Sequence, residues 1–162
     1  MFNISNSKLT TSSNCFSDQK IIIPKPVITN STICTIKRNL FGKYQAYAIS
    51  GKQRIKTDLN QFIKAILAAG VGELLINNID RDGTFQGYDI ELINRIAPIS
   101  SVPIVANGGA KSLDDLTNAL NNGASAVAAG SLFVYRGAQK GIMINYPTQA
   151  TLFNEVYYKL WY

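Results

Sequence analysis

The stretch Leu74 to Asp89, "LLINNIDRDGTFQGYD", sets Asp80, Arg81, Asp82 and Gly83 directly after an apolar run. Charges this close together repel unless something pairs with them, so the turn serves either a ligand or a fold-specific set of partners. "RDG" by itself is an ordinary turn signal, in which Asp82 orients the loop and glycine takes a positive φ. What flanks the stretch decides between these readings.

Upstream, "TDLNQFIKAILAAG" places Leu59, Phe62, Ile63, Ile66 and Leu67 at helical spacing, with Thr57 or Asp58 as cap and Gly70 as stop. Before it, "TICTI" reads as a strand and "KYQAYAIS" as an alternating one that ends at Gly51. The run "GELLINNI" reads as a buried strand, "YDIELINRIAP" as a helix, "VPIVAN" as a strand, "SLDDLTNALNNG" as a helix with Ser112 and Asp115 as a capping box, and "ASAVAAG" as a strand. Helix and strand alternate every ~20 to 30 residues, the signature of βα units on a parallel sheet. The strands read as apolar on both faces, as in a sheet or barrel covered by helices. The fold class expected is therefore α/β.

With 162 residues and 46% apolar content, the chain can bury one core and does not require two. Residues 1–30 are rich in Ser, Thr and Asn; Pro24 and Pro26 argue against a central strand in "IIIPKPVI", and a short strand at Phe2–Ser5 is the one element expected there. The absence of histidine removes the commonest general base and metal ligand. Cys15 and Cys34 are too few for a zinc site or a disulfide framework, which suits a reducing cytoplasm. Met1 to Lys20 lacks the apolar core of a signal peptide, and the longest apolar stretch is broken by Lys64 and Glu73, so no membrane span is expected. The net charge is +6, with Lys37, Arg38, Lys43, Lys52, Arg54 and Lys56 close together. Such a surface admits phosphate of any kind, or is a solvated face; no nucleic-acid motif accompanies it. Phe41, Tyr44 and Tyr47 alternate with polar residues as in a half-buried hairpin.

The predicted strands end in Asp82-Gly83, Asn107-Gly108-Gly109 and Gly130-Ser131. Glycine lets backbone N–H groups approach a ligand, and a following helix N-terminus adds partial positive charge, so each turn is a candidate anion site. In (β/α)8 barrels such loops converge on one mouth, and those after the last two strands recurrently bind phosphate.

These same segments, "NNIDRDGTFQGYD", "PIVANGGAKSLDD" and "GASAVAAGSLF", resemble the cyclase subunit of imidazole glycerol phosphate synthase, the HisF family of (β/α)8 barrels. A sister isomerase shares the "RDG" and "GG" turns, whereas Tyr88-Asp89 after Gly87 resembles the cyclase. The likeness is closest from Gly70 to Phe133, fair from Thr32 to Gly51, and confined before that to "ISNSKL", which resembles the family's fourth strand. It implies a partial TIM barrel, roughly strands 4 or 5 to 8, truncated at the N-terminus: residues 1–31 as a degenerate remnant of the strand-four unit and 32–162 as the C-terminal half. It also implies that Asp82, Gly83, Gly109, Gly130 and Ser131 surround one substrate phosphate, that Asn6 and Ser7 are remnants of the second phosphate site, and that Glu73 matches an ammonia gate. The family's reaction uses ammonia from a glutaminase (HisH-like) partner to cleave and cyclise a phosphoribulosyl compound, with no metal or other cofactor.

Two departures matter. The family's acids lie at the ends of strands one and five; the first strands are missing, and the strand-five position falls on Thr35 or Ile36, so no catalytic carboxylate is intact. "VYRGAQKGIMINYP" and "KRNLFGKY" resemble instead a branch found with surface-polysaccharide genes, in which the barrel is thought to deliver ammonia to a sugar-modifying amidotransferase. Three readings follow: a cyclase subunit with impaired catalysis, an ammonia-delivering partner, or a phosphate-binding half-barrel without chemistry. A partial barrel leaves strand edges open, so self-association or a complementing N-terminal half-barrel is also expected.

Overall fold

A computed structural model describes residues 31–49, 51–136 and 141–161. In chain order these form β1 (Ser31–Arg38), β2 (Tyr44–Ala48), β3 (Gln53–Arg54), α1 (Leu59–Ala68), β4 (Glu73–Asn78), α2 (Ile90–Ile96), a 3-10 turn (Ala97–Ile99), β5 (Ile104–Asn107), α3 (Leu113–Asn121), β6 (Ala126–Ala128) and α4 (Ser131–Val134). A hairpin of β7 (Tyr135–Arg136) and β8 (Gly141–Ile142) follows, and then α5 (Gln149–Leu152), a π-helical turn (Phe153–Tyr157) and α6 (Tyr158–Trp161). The main sheet runs β3-β2-β1-β4-β5-β6. Its β1, β4, β5 and β6 are parallel neighbours in chain order, while β2 and β3 fold back antiparallel outside β1. Parallel strands in sequential order, linked through helices, form an arc of a (β/α)8 barrel.

Strand periodicity explains why the sheet has one helix-covered face. Cys34, Ile36, Leu74, Ile76 and Ile104 point to one side, where they meet Leu59, Phe62, Ile63 and Ile66 of α1 and Leu92 and Ile96 of α2. A second cluster joins Ile93, Ala106, Leu116 and Ala119 to Val156 of the C-terminal segment. Asp58 caps α1 by accepting a hydrogen bond from the Asn60 amide, and α3 carries the expected Ser112/Asp115 capping box. Gly70, at φ +83°, ends α1 as a left-handed residue.

The opposite face is not the apolar surface that the strand composition suggests. Its centre is a cross-strand row Tyr47, Thr35, Asn77, Asn107 and Ala128, given by the strand register. Asn107 Nδ2 donates to Asn77 Oδ1 across it at 3.2 Å. Leu75 and Val105 supply the apolar remainder, and Ile33 is 66% exposed there. The aromatics near Lys43 also divide: Tyr44 is buried, but Phe41 sits in the β1–β2 turn and is exposed rather than half-buried. The β3 strand, the β7–β8 hairpin and the C-terminal helical segment carry no signal that the sequence reading picked up. The expected short strand at Phe2–Ser5 lies outside the described residues.

Candidate functional site

The β4–α2 loop resolves its own crowding of charge. Asp80 Oδ2 accepts the Arg38 amide at 2.7 Å, tying the loop to the end of β1, and the Asp80 amide donates to Asn78 Oδ1 at 3.0 Å. Arg81 turns inward: its guanidinium donates to the carbonyls of Gln86, Gly87 and Tyr88 at 3.4, 3.2 and 3.1 Å, and lies 3.9 Å from Asp89 Oδ2. Asp80 and Asp82 are both exposed, whereas Arg81 is half-buried.

Asp89 anchors this arrangement from the buried side, at 5% exposure. Its Oδ1 accepts the Tyr44 hydroxyl at 2.8 Å and, as the N-cap of α2, the Leu92 amide at 3.2 Å; Oδ2 accepts Asn78 Nδ2 at 2.6 Å. Arg38 closes the network, 3.8 Å from Asp89, hydrogen-bonded to the Tyr44 hydroxyl and to Glu91, with its guanidinium 4.4 Å from the Tyr44 ring centroid. Burial first, then the hydrogen bond to Asp89, pushes the Tyr44 hydroxyl above its ordinary range, so it stays a neutral donor. This network has one legible signal in the sequence, an Asp directly before an apolar helix, which marks a cap.

Beyond the ends of β4, β5 and β6 lies a pocket lined by Asp82 and Gly83 from the first turn, the segment from Asn107 to Ala110 from the second, and the segment from Ala128 to Ser131 from the third. Glycine is required at the second turn. Gly108, at φ +94°, would place a Cβ 2.6 Å from the Asn78 carbonyl oxygen, and Gly109, at φ +102°, would place one 2.3 Å from that of Gly87. Gly130 differs, because a Cβ there would meet no protein atom within 4 Å. The turns touch one another: the Gly87 amide donates to the Gly109 carbonyl at 2.8 Å, and the Tyr88 hydroxyl to that of Ala128 at 2.9 Å. Burial, reinforced by the Asp115 charge, likewise pushes the Tyr88 hydroxyl up and keeps it a donor.

The pocket thus brings together Asp82, Gly83, Gly109, Gly130 and Ser131. Its donors differ from those that a helix-terminus argument suggests. Just before α3, the Lys111 and Ser112 amides are already taken by the Asp115 carboxylate at 2.9 and 3.0 Å, and α2 is capped by Asp89. At the start of α4 no protein acceptor takes the Gly130 or Ser131 amide among the described residues. Glu73 lies at the opposite end of β4. Of the two candidates for the strand-five position, Ile36 is fully buried under the helices, whereas Thr35 stands on the polar row beside Asn77. Asn6 and Ser7 lie outside the described residues. Lys37, Lys43, Lys52, Arg54 and Lys56 are exposed to solvent, and Arg38 alone of that basic group is tied into the fold. Among the described residues no group of three potential metal-ligating side chains comes together, and no helix is long and apolar enough to cross a membrane.

The family model described as "Histidine biosynthesis protein" matches residues 27–139. A Leptospira borgpetersenii protein, provisionally named an imidazole glycerol phosphate synthase subunit HisF, is 43% identical over 68% of this chain and 44% of its own length. A Vibrio vulnificus (strain YJ016) protein with a similar provisional name is 35% identical over 87% of this chain and 56% of its own. The imidazole glycerol phosphate synthase subunit HisF of Alkaliphilus metalliredigens (strain QYMF) is 33% identical over 80% of this chain and 48% of its own. The chain spans about half the length of these curated relatives. With the glycine turns inside the matched region and the parallel strands in barrel order, the chain belongs to the histidine biosynthesis protein family and is similar within it to HisF subunits.

Proposed function

We propose that the chain carries the C-terminal half of a cyclase subunit of imidazole glycerol phosphate synthase, and that its pocket holds one phosphate of a phosphoribulosyl substrate. The observation that carries this reading is the convergence of the β4, β5 and β6 turns on one glycine-walled pocket. Gly83, Gly109, Gly130 and Ser131 present backbone to the anion. Asp82 would repel a phosphate, so its part is to accept a hydroxyl or amide proton from the rest of the substrate. Asn6 and Ser7 belong, on this reading, to the site of the second phosphate. Glu73, at the far end of β4, suits the entry side for ammonia from a glutaminase (HisH-like) partner, and such a complex would work in the cytoplasm. The expected result is that inorganic phosphate shifts the backbone NMR signals of Gly83, Gly109, Gly130 and Ser131 first. Shifts confined to Lys37, Lys43, Lys52 and Lys56 would refute the pocket and leave only the basic face.

A second reading is favoured by one residue. Thr35, one of the two candidates for the family's strand-five acid position, has neutral row neighbours in Asn77 and Asn107. A positioned acid or base contributes about 10²- to 10⁴-fold in rate, so a chain without one would conduct ammonia better than it would cyclise a substrate. Absent ammonia-dependent cyclisation, together with retained glutaminase binding, is the pattern that the delivery role requires; normal turnover by the purified chain would exclude it. The same chain with neither turnover nor glutaminase binding, but with phosphate shifts, would be a binding half-barrel. The half-barrel reading also implies association through the open face of the sheet, with a second copy or a complementing half, which light scattering across a concentration series would detect.

A further inference from the structure

We propose that Arg81 is a positioning residue for the anion-binding mouth: from behind the pocket it holds the β4–α2 loop against the other two turns, so that all three meet an anion as one preset unit. The proposal rests on the phosphate reading of the pocket. Arg81 follows Asp80 and precedes the pocket residue Asp82, yet it is not part of the pocket lining. Its guanidinium instead donates to the carbonyls of Gln86, Gly87 and Tyr88 and faces Asp89.

Those carbonyls belong to the segment that makes the cross-contacts. Gly87 donates its amide to Gly109 at 2.8 Å, and Tyr88 its hydroxyl to Ala128 at 2.9 Å. Gly109 lies so close to this segment that a Cβ on it would be 3.1 Å from Arg81 Cβ as well as 2.3 Å from the Gly87 carbonyl oxygen. Backbone amides bind an anion well only where their positions are already fixed; otherwise binding must include the cost of ordering the loop. A guanidinium fits this task because one nitrogen, Nη1, serves the neighbouring carbonyls while a second, Nε, faces a carboxylate. An ammonium, as a point charge, cannot do both.

The test uses the full chain and inorganic phosphate, followed through the amide signals of Gly83, Gly109, Gly130 and Ser131 at a temperature where circular dichroism shows each variant folded. Arg81→Ala is expected to weaken phosphate binding about tenfold or more, the scale of a lost charge-assisted contact, and to separate the amide shifts onto different titration curves. Arg81→Lys should restore only part of the affinity. Tyr88→Phe, which removes a single hydrogen bond, should weaken binding about threefold, with the change concentrated at Gly130 and Ser131. Wild-type affinity in Arg81→Ala, with all shifts on one curve, would overturn the proposal even if thermal stability fell. Should Arg81→Ala not fold, wild-type affinity in both Arg81→Lys and Tyr88→Phe would overturn it equally. A wild-type protein whose pocket amides ignore phosphate would instead remove the pocket reading, and this proposal with it.

Discussion

The loop after β4 and the turn after β6 form opposite walls of one pocket and are built on opposite principles. The first is dense with charge and hydrogen bonds: Asp80 holds the end of β1, Arg81 holds the loop's own carbonyls, and Asp89 ties Tyr44, Asn78 and the start of α2 together. The second is Ala128, Ala129 and Gly130 followed by the four-residue helix α4, and it leads into a hairpin region where Ile142 is 79% and Ile144 80% exposed. The rigid wall is held together by its side chains, whereas the plain wall carries few and, on the phosphate reading, leaves its backbone open to a ligand. Stability and binding are therefore expected to separate along this line.

The largest effect belongs to the rigid wall. Asp89→Ala deletes the acceptor of the Tyr44 hydroxyl, the Asn78 amide and the Leu92 amide, and leaves Arg38 and Arg81 without their buried counter-charge. The arginines left behind are partly exposed, so the main cost is the buried donors left unsatisfied, about 1–3 kcal/mol each. Urea denaturation should show that loss, while Ser131→Ala on the plain wall should not move the midpoint. A loss in Asp89→Ala no greater than that of an exposed substitution would break the contrast between the walls.

Next in size is Gly109→Ala. The left-handed backbone costs a non-glycine residue about 1–3 kcal/mol, and the contact with the Gly87 carbonyl adds to that because backbone cannot step aside. Both thermal stability and phosphate affinity should fall, since the strained turn is also part of the pocket.

Alkaline pH probes the fold beneath the rigid wall. Burial pushes the Cys34 thiol up to about 12 from 9.0, and burial first, then Asp89, raises Tyr44; burial, then the Asp115 charge, raises Tyr88. In each case the folded state keeps its proton to higher pH than the unfolded chain does. Their stabilisation is therefore complete below about pH 9 and is lost as pH rises toward the folded values, at about 1.4 kcal/mol per pH unit for each group in its window. Unfolding free energy measured from pH 7 to pH 10.5 should be flat and then decline, with a shallower onset in Cys34→Ala. A decline that begins near neutrality would point to other groups.

Much of this was legible in the sequence because local rules and tertiary structure agreed. The α1 apolar spacing, the Ser112/Asp115 box and the run of βα units all appear where the pattern places them, and the three glycine turns share a pocket. What escaped depends on partners distant in sequence. Tyr44 and Asp89 are 45 residues apart, and nothing local to either shows that one will bury the other. Arg81 reads from sequence as a surface turn residue, because its acceptors are carbonyls, which no residue type advertises. The polar row of Thr35, Asn77 and Asn107 was hidden inside apolar runs, since alternation along a strand is easily masked when Leu75 and Val105 share the same face.

The smallest stability effect is expected on the plain wall, and it is the sharpest test of what that wall is for. Gly130 has φ −110°, which any residue can adopt, and a Cβ built on it meets no protein atom within 4 Å. Gly130→Ala should therefore change unfolding free energy by no more than about 0.5 kcal/mol in either direction. Gly130 nevertheless lines the pocket, so an added methyl group would take up open space beside it rather than space filled by protein. Phosphate affinity should then drop at unchanged stability, whereas Gly109→Ala lowers both. If Gly130→Ala binds phosphate as the wild type does, the glycine is not there to admit a ligand. In that case the two walls differ only in how they fold, and the asymmetry of the pocket says nothing about binding.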